Sequence, residues 1–307
     1  MLISGLRVVS FEKSRHLLGV EVKDCTVNAR EMPGHDATVA SVQQSADSAI
    51  DGDVCDYDPA ALPSASIGIC CGSVEGVVLG TISGCCICQC QIGVVSRDAS
   101  SVAIHSCTVR ACVDGGIVLR DGSCSVLSSC HITNSGTGLV LQGISGGSTD
   151  KVTFVNCGVG VLVHRPCSGA LKNIDIRGCE RGLVIAKGGS GLNMNSIVVY
   201  GGRIGVVVGA ACSLSDVEAV NCEEEGFLVE RTSRLVLKDC RAAKCGTGCR
   251  VLGDLTCHDC AWSECDAGFI RYSRQSDVFE NLNCLKTLFV SIYRTSQHHV
   301  CNHHALD

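Results

Sequence analysis

The chain has 307 residues, a net charge of −6 and only 18% charged residues. Hydrophobic residues make up 46%, too many for a disordered chain, and the acidic balance gives no global basic footprint for nucleic acid. Glycine is abundant at 35, proline scarce at 4, aromatics number 4%, and 25 cysteines are the compositional outlier.

The chain opens M-L-I-S-G-L-R-V-V-S-F-E-K. This stretch has neither the basic flank nor the apolar run of a secretory leader. No stretch reaches the roughly 18 consecutive apolar residues of a membrane span. The expectation is a reducing, cytoplasmic compartment with mostly free thiols, no membrane span and no nucleic-acid partner. Residues 1–29 read as a cap and a first partial coil, carried by Leu6, Val8 and Phe11, then Val20, Val22, Cys25 and Val27. Residues 30–66 read as an acidic insertion, probed by Asp36, Asp47, Asp51, Asp53, Asp56 and Asp58 between Pro33 and Pro63.

From residue 67 a repeat takes over. A glycine followed by an apolar residue recurs at Gly68, Gly93, Gly116, Gly138, Gly160, Gly182, Gly205, Gly226, Gly248 and Gly268, at spacings of 20 to 25. One column upstream holds Cys85, Cys107, Cys130, Val152, Ile174, Ile197, Val217, Cys240 and Cys260. A second, five residues later, holds Cys90, Cys112, Ser135, Cys157, Cys179, Gly202, Cys222, Cys245 and Cys265. Between the columns lie Ile87, Val109, Ile132, Phe154, Ile176, Val199, Ala219, Ala242 and Trp262, and after the glycine Val94 through Phe269. Apolar residues alternate two apart, which means strands. Short strands at a period near 22 mean one coil stacked on the next. The fold class is all-β, a right-handed single-stranded parallel β-helix of about ten coils over residues 67–292. At about 4.8 Å per coil the rod is roughly 45–50 Å long. The cysteines are read as small buried packing residues, and the glycine as a corner with φ > 0 or a close approach of coils. Leu282, Cys284, Leu288 and Val290 continue the template with Leu288 in the glycine position. The tail 293–307 is polar and shows no coil pattern.

The repeat resembles the right-handed parallel β-helix domains of pectate lyases, polygalacturonases and carbohydrate-binding or sugar-hydrolase proteins. Its cysteine-rich character is most similar to intracellular members, such as the β-helix part of F-box ubiquitin-ligase subunits and β-helix proteins of cilia and flagella. That resemblance implies a recognition or scaffolding surface. The polygalacturonase type would need G-H-G and R-I-K segments, and neither occurs. The pectate-lyase type would need R-x-P-x-x-R, and the nearest element, Arg165-Pro166, has the wrong spacing.

Five aspartates fall near the first strand of successive coils: Asp150, Asp175, Asp216, Asp239 and Asp259. Stacked carboxylates suit general acid–base work, but no His or Arg column accompanies them, so they read as a solvated face. Cys85, Cys86, Cys88 and Cys90, and again Cys257, Cys260 and Cys265, have metal-ligand spacing, yet the repeat accounts for them. His298, His299, Cys301, His303 and His304 are ligand types in a tail without a fixed second shell. Glu223, Glu224 and Glu225 read as a solvated corner. No catalytic, cofactor or metal residue is therefore assigned and no cofactor is expected. The expected function is a non-catalytic scaffold whose faces bind other proteins, in a cytoskeletal or axonemal assembly. The alternatives are a carbohydrate-active or polysaccharide-binding β-helix and a substrate-recognition module of a ubiquitin-ligase complex.

Overall fold

The structure is a computed structural model. It describes residues 2–4, 17–28, 67–71, 77–272, 278–285, 288–294 and 299–305. The 30–66 insertion lies outside the described residues.

Most coils have three strands, and strands of neighbouring coils pair in parallel with their counterparts one coil below and above. Val126–Ser128, His131–Thr133 and Thr137–Gln142 form one such coil. Thr137–Gln142 pairs in parallel with both Gly115–Arg120 and Val159–Val163. Third strands stack from Ile67–Cys71 to Leu288–Arg294 as one sheet. First and second strands merge into the other sheet. No described residue is helical.

The first and second corners of the coils turn through a residue in the left-handed region. At the first corner these are Asp24, Gly84, Ser106, Ser129, Lys151, Asn173, Ser196, Asp216, Asp239, Asp259 and Asn281, with φ between 47° and 63°. At the second they include Gln89, Asn134, Asn156, Asn221, Lys244 and Glu264. Asn, Asp and Gly tolerate this conformation best, which explains why polar residues precede both cysteine columns. Asp216, Asp239 and Asp259 therefore serve the backbone.

The inward residues form one core running the length of the rod, from Val22 and Cys25 to Trp262 and Phe269. Its aromatic end is graded by size. Ala242 and Cys249 make the coil above Phe227 narrow, and Phe227 and Trp262 meet with ring centroids 5.6 Å apart.

The cysteine columns do more than fill space. Each thiol donates to the carbonyl two residues back, as Cys85 does to Ser83 at 3.2 Å, Cys130 to Ser128 at 3.3 Å and Cys245 to Ala243 at 3.4 Å. Several also reach the coil below, as Cys240 does to the Leu214 carbonyl at 3.6 Å. Ser135 makes the same bond to Thr133 at 3.1 Å. A small side chain with a weak donor thus fits beside a corner carbonyl, although Val152, Ile174, Ile197, Val217 and Gly202 fill the same columns without one.

Two sequence expectations change. The glycine column is not a corner. It lies inside the third strand, as in Ile92–Ser96, and none of its members has positive φ. A Cβ on Gly160 would sit 2.7 Å from the Gly182 carbonyl and 2.7 Å from Ile176 Cγ2, so close approach is the reason. Leu288 does not replace the glycine either. It pairs with Ala267 while Phe289 pairs with Phe269, leaving Gly268 without a counterpart. In the 293–307 tail, His299–Ala305 forms a strand antiparallel to Leu288–Arg294. At the other end Leu2–Ser4 runs antiparallel to Thr26–Asn28.

Candidate functional site

In three consecutive coils the first and second strands run on without a break: Ser168–Arg177, Leu192–Tyr200 and Cys212–Val220. The first-corner column there holds Ile174, Ile197 and Val217, whose β-branched side chains favour extended backbone. These strands still carry the left-handed residues Asn173, Ser196 and Asp216. A shallow cleft of about 750 Å³ lies along these strands on the outer surface.

Parallel register sets its chemistry. Asp175, Val198 and Glu218 occupy one ladder, and Arg177, Tyr200 and Val220 the next. The middle coil is an apolar floor, with Tyr200 50% and Val198 40% exposed. Asp175 and Glu218 stand on the coils either side. Arg177 Nε donates to both Asp175 oxygens at 2.9 and 3.0 Å, and its Nη2 to Oδ2 at 2.5 Å. The Asp175 carboxylate holds the Arg177 guanidinium further above its ordinary range. Ser196 Oγ donates to Asp216 Oδ2 at 2.7 Å. Asn173 Nδ2 reaches down to Asp150 Oδ1 at 2.6 Å.

The five aspartates singled out in the sequence separate here. Asp216, Asp239 and Asp259 are corner residues, Asp150 is on the first strand, and Asp175 is on the second. Only Asp175 and Asp216 line the cleft. Arg177, Val198, Tyr200 and Glu218 were not singled out. Their signal was the run Ile197-Val198-Val199-Tyr200, where other coils alternate apolar and polar.

The remaining candidates fall elsewhere. Cys85, Cys90, Cys257, Cys260 and Cys265 are buried column or core residues, Cys86 is half-buried, and Cys88 is buried outside the main core. Burial pushes the Cys85 thiol up to about 11 and the Cys112 thiol up to about 12. Among the described residues no group of three His, Cys, Asp or Glu is placed to hold a metal ion. The side chains of His298, His299, Cys301, His303 and His304 lie outside the described residues. Glu223 and Glu224 are exposed as expected, but Glu225 is not a solvated corner. It begins the third strand Glu225–Val229, is 3% exposed, and pairs with Arg250 Nη1 at 3.0 Å. Burial pushes its carboxyl up, with Arg250 opposing.

A coiled β-rod with a mixed apolar and charged cleft on its side defines a β-solenoid. The family model described as right handed beta helix region matches residues 67–213 and again 125–281. The chain belongs to that family, and its coils are right-handed. The two overlapping matches are what a repeat produces, since one model fits in more than one register. Comparison with curated proteins and with solved structures returns no match.

Proposed function

We propose that this protein is a non-catalytic scaffold that docks another protein on the cleft of its continuous-strand coils. The observation that carries the reading is the floor of Val198 and Tyr200, exposed between charged neighbours. An exposed aromatic with a polar, Arg-containing rim is the composition of a protein-binding hot spot. One of the cleft carboxylates, Asp175, is paired with Arg177. The thiol columns support a reducing, cytoplasmic setting, because a disulfide would remove the corner hydrogen bonds that Cys85 and Cys245 donate. A cytoskeletal or axonemal assembly is the setting proposed, by the analogy with intracellular β-helix proteins. The test is affinity capture on the full chain and on a Tyr200→Ala variant from native extract, read by mass spectrometry. A partner retained by the first and lost by the second is expected; recovery of the chain alone in both counts against docking.

One observation favours a second reading. Asp175, Asp216 and Glu218 share the cleft with Tyr200, the pairing of carboxylates and aromatic that a polysaccharide site uses. Incubation with acidic and neutral polysaccharides would decide it: saturable binding or new reducing ends supports a sugar site, and neither excludes it.

A further inference from the structure

The charges of the cleft are not balanced. Arg177 is committed to Asp175. Asp216 receives only a neutral hydroxyl, from Ser196. Among the described residues Glu218 makes no ion pair, even with Arg241, which is in register with it one coil above. Two uncompensated carboxylates therefore stand on Cys212–Val220. They face the apolar floor that Val198 and Tyr200 make on the coil below.

We infer that the cleft takes a lysine or arginine side chain from an extended segment of the partner protein. The inference rests on the docking reading above. A long basic side chain has two parts, an apolar stem and a cationic head. The stem matches Val198 and the face of Tyr200, and a cation over a tyrosine ring gains further attraction. The head reaches Glu218 and Asp216, where an arginine fork has two carboxylates to bridge. The paired Asp175–Arg177 closes the opposite side and keeps the floor from carrying a third free negative charge. An acidic or neutral segment would leave Glu218 and Asp216 unmatched, and this sets the sign of the partner.

The test uses the full chain and fluorescein-labelled Gly/Ser dodecapeptides that carry two arginines, two lysines, two glutamines or two glutamates. Anisotropy should show binding of the arginine and lysine peptides only. Glu218→Gln and Asp216→Asn should each weaken it about threefold or more, and Tyr200→Ala by a similar factor. Glu264→Gln, an exposed change outside the cleft with the same effect on net charge, should leave it unchanged. Equal loss in Glu264→Gln and Glu218→Gln would overturn the inference, because the attraction would then belong to the whole acidic chain. So would no binding of either basic peptide. Glutamine-peptide binding that depends on Tyr200 would overturn the basic partner while leaving docking intact. Binding of a neutral hexasaccharide that depends on Tyr200, with no peptide binding, would remove both.

Discussion

Two parts of the same rod turn the first corner differently. Near the ends, Cys85, Cys107, Cys130, Cys240 and Cys260 follow the left-handed residue, and the chain breaks into short strands such as Arg234–Lys238 and Arg241–Ala243. In the middle, Ile174, Ile197 and Val217 stand in the same column, and strands of nine or ten residues cross the corner. A cysteine at the corner ties its thiol to local carbonyls. At Ile174, Ile197 and Val217 there is no thiol to do this, and the strand continues through the left-handed residue before each of them. The cleft lies where the two strands fuse, but the column residue alone does not decide this, because Val152 is β-branched and its coil still breaks between Ser145–Asp150 and Val152–Val155.

The comparison breaks hardest at the glycine column, which both regions share. Gly182→Val, in the middle, should abolish folding or cost more than about 4 kcal/mol, because the new Cβ would meet the Gly205 carbonyl at 2.5 Å and the Val199 side chain. Circular dichroism and chemical denaturation would show it; a native-like midpoint would refute close approach as the reason for glycine. Next in size, Trp262→Ala should cost about 3–5 kcal/mol by opening a cavity over the narrow Ala242–Cys249 coil. Adding Ala242→Leu should restore part of that loss.

The corner swap is smaller and sharper. Cys245→Ala should cost about 1 kcal/mol for its bonds to the Ala243 and Ala219 carbonyls. Cys245→Ser should cost less, since Ser135 already makes this bond. Equal costs for the two would mean that volume alone selects cysteine. The smallest effect is pH-dependent. Burial raises the folded-state pKa of Glu225 above its ordinary 4.5. The folded chain then takes up a proton before the unfolded chain does as pH falls. Its contribution to stability is complete below the ordinary value and is lost as pH rises through the folded one. Glu225→Gln should flatten this part of the stability–pH curve above the ordinary carboxylate value, measured by urea midpoints; an unchanged slope would place Glu225 in solvent.

The fold was legible in the sequence because a repeat averages out local ambiguity. Ile87, Val109, Ile132 and their equivalents mark one inward column whatever any single strand propensity suggests. What was not legible was the reason for several residue types. Asp216, Asp239 and Asp259 are the exposed corner residues the sequence suggested, but nothing in an isolated Asp239 reveals the φ of 54° that favours Asp there. Glu225 looked exposed beside Glu223 and Glu224. Its ion-pair partner Arg250 is 25 residues away in sequence, on the next strand, where it is in register with Leu228 while Thr247 stands opposite Glu225. The cleft was half visible, in Asp175 and Asp216. Val198 and Tyr200 were hidden by the assumption that apolar residues face inward, which the I-V-V-Y run of one coil violates.

The missing glycine at the last coil has a consequence for size. Every third strand from Ile67–Cys71 to Ala267–Arg271 carries the glycine step on which the next strand seats. Leu288–Arg294 does not carry it and instead accepts His299–Ala305 in the reverse direction over seven residue pairs. A further coil would find neither the step nor a parallel edge on that strand. The deletion of one residue therefore acts as a terminator, writing the length of the rod into the chain and blocking head-to-tail growth at that face.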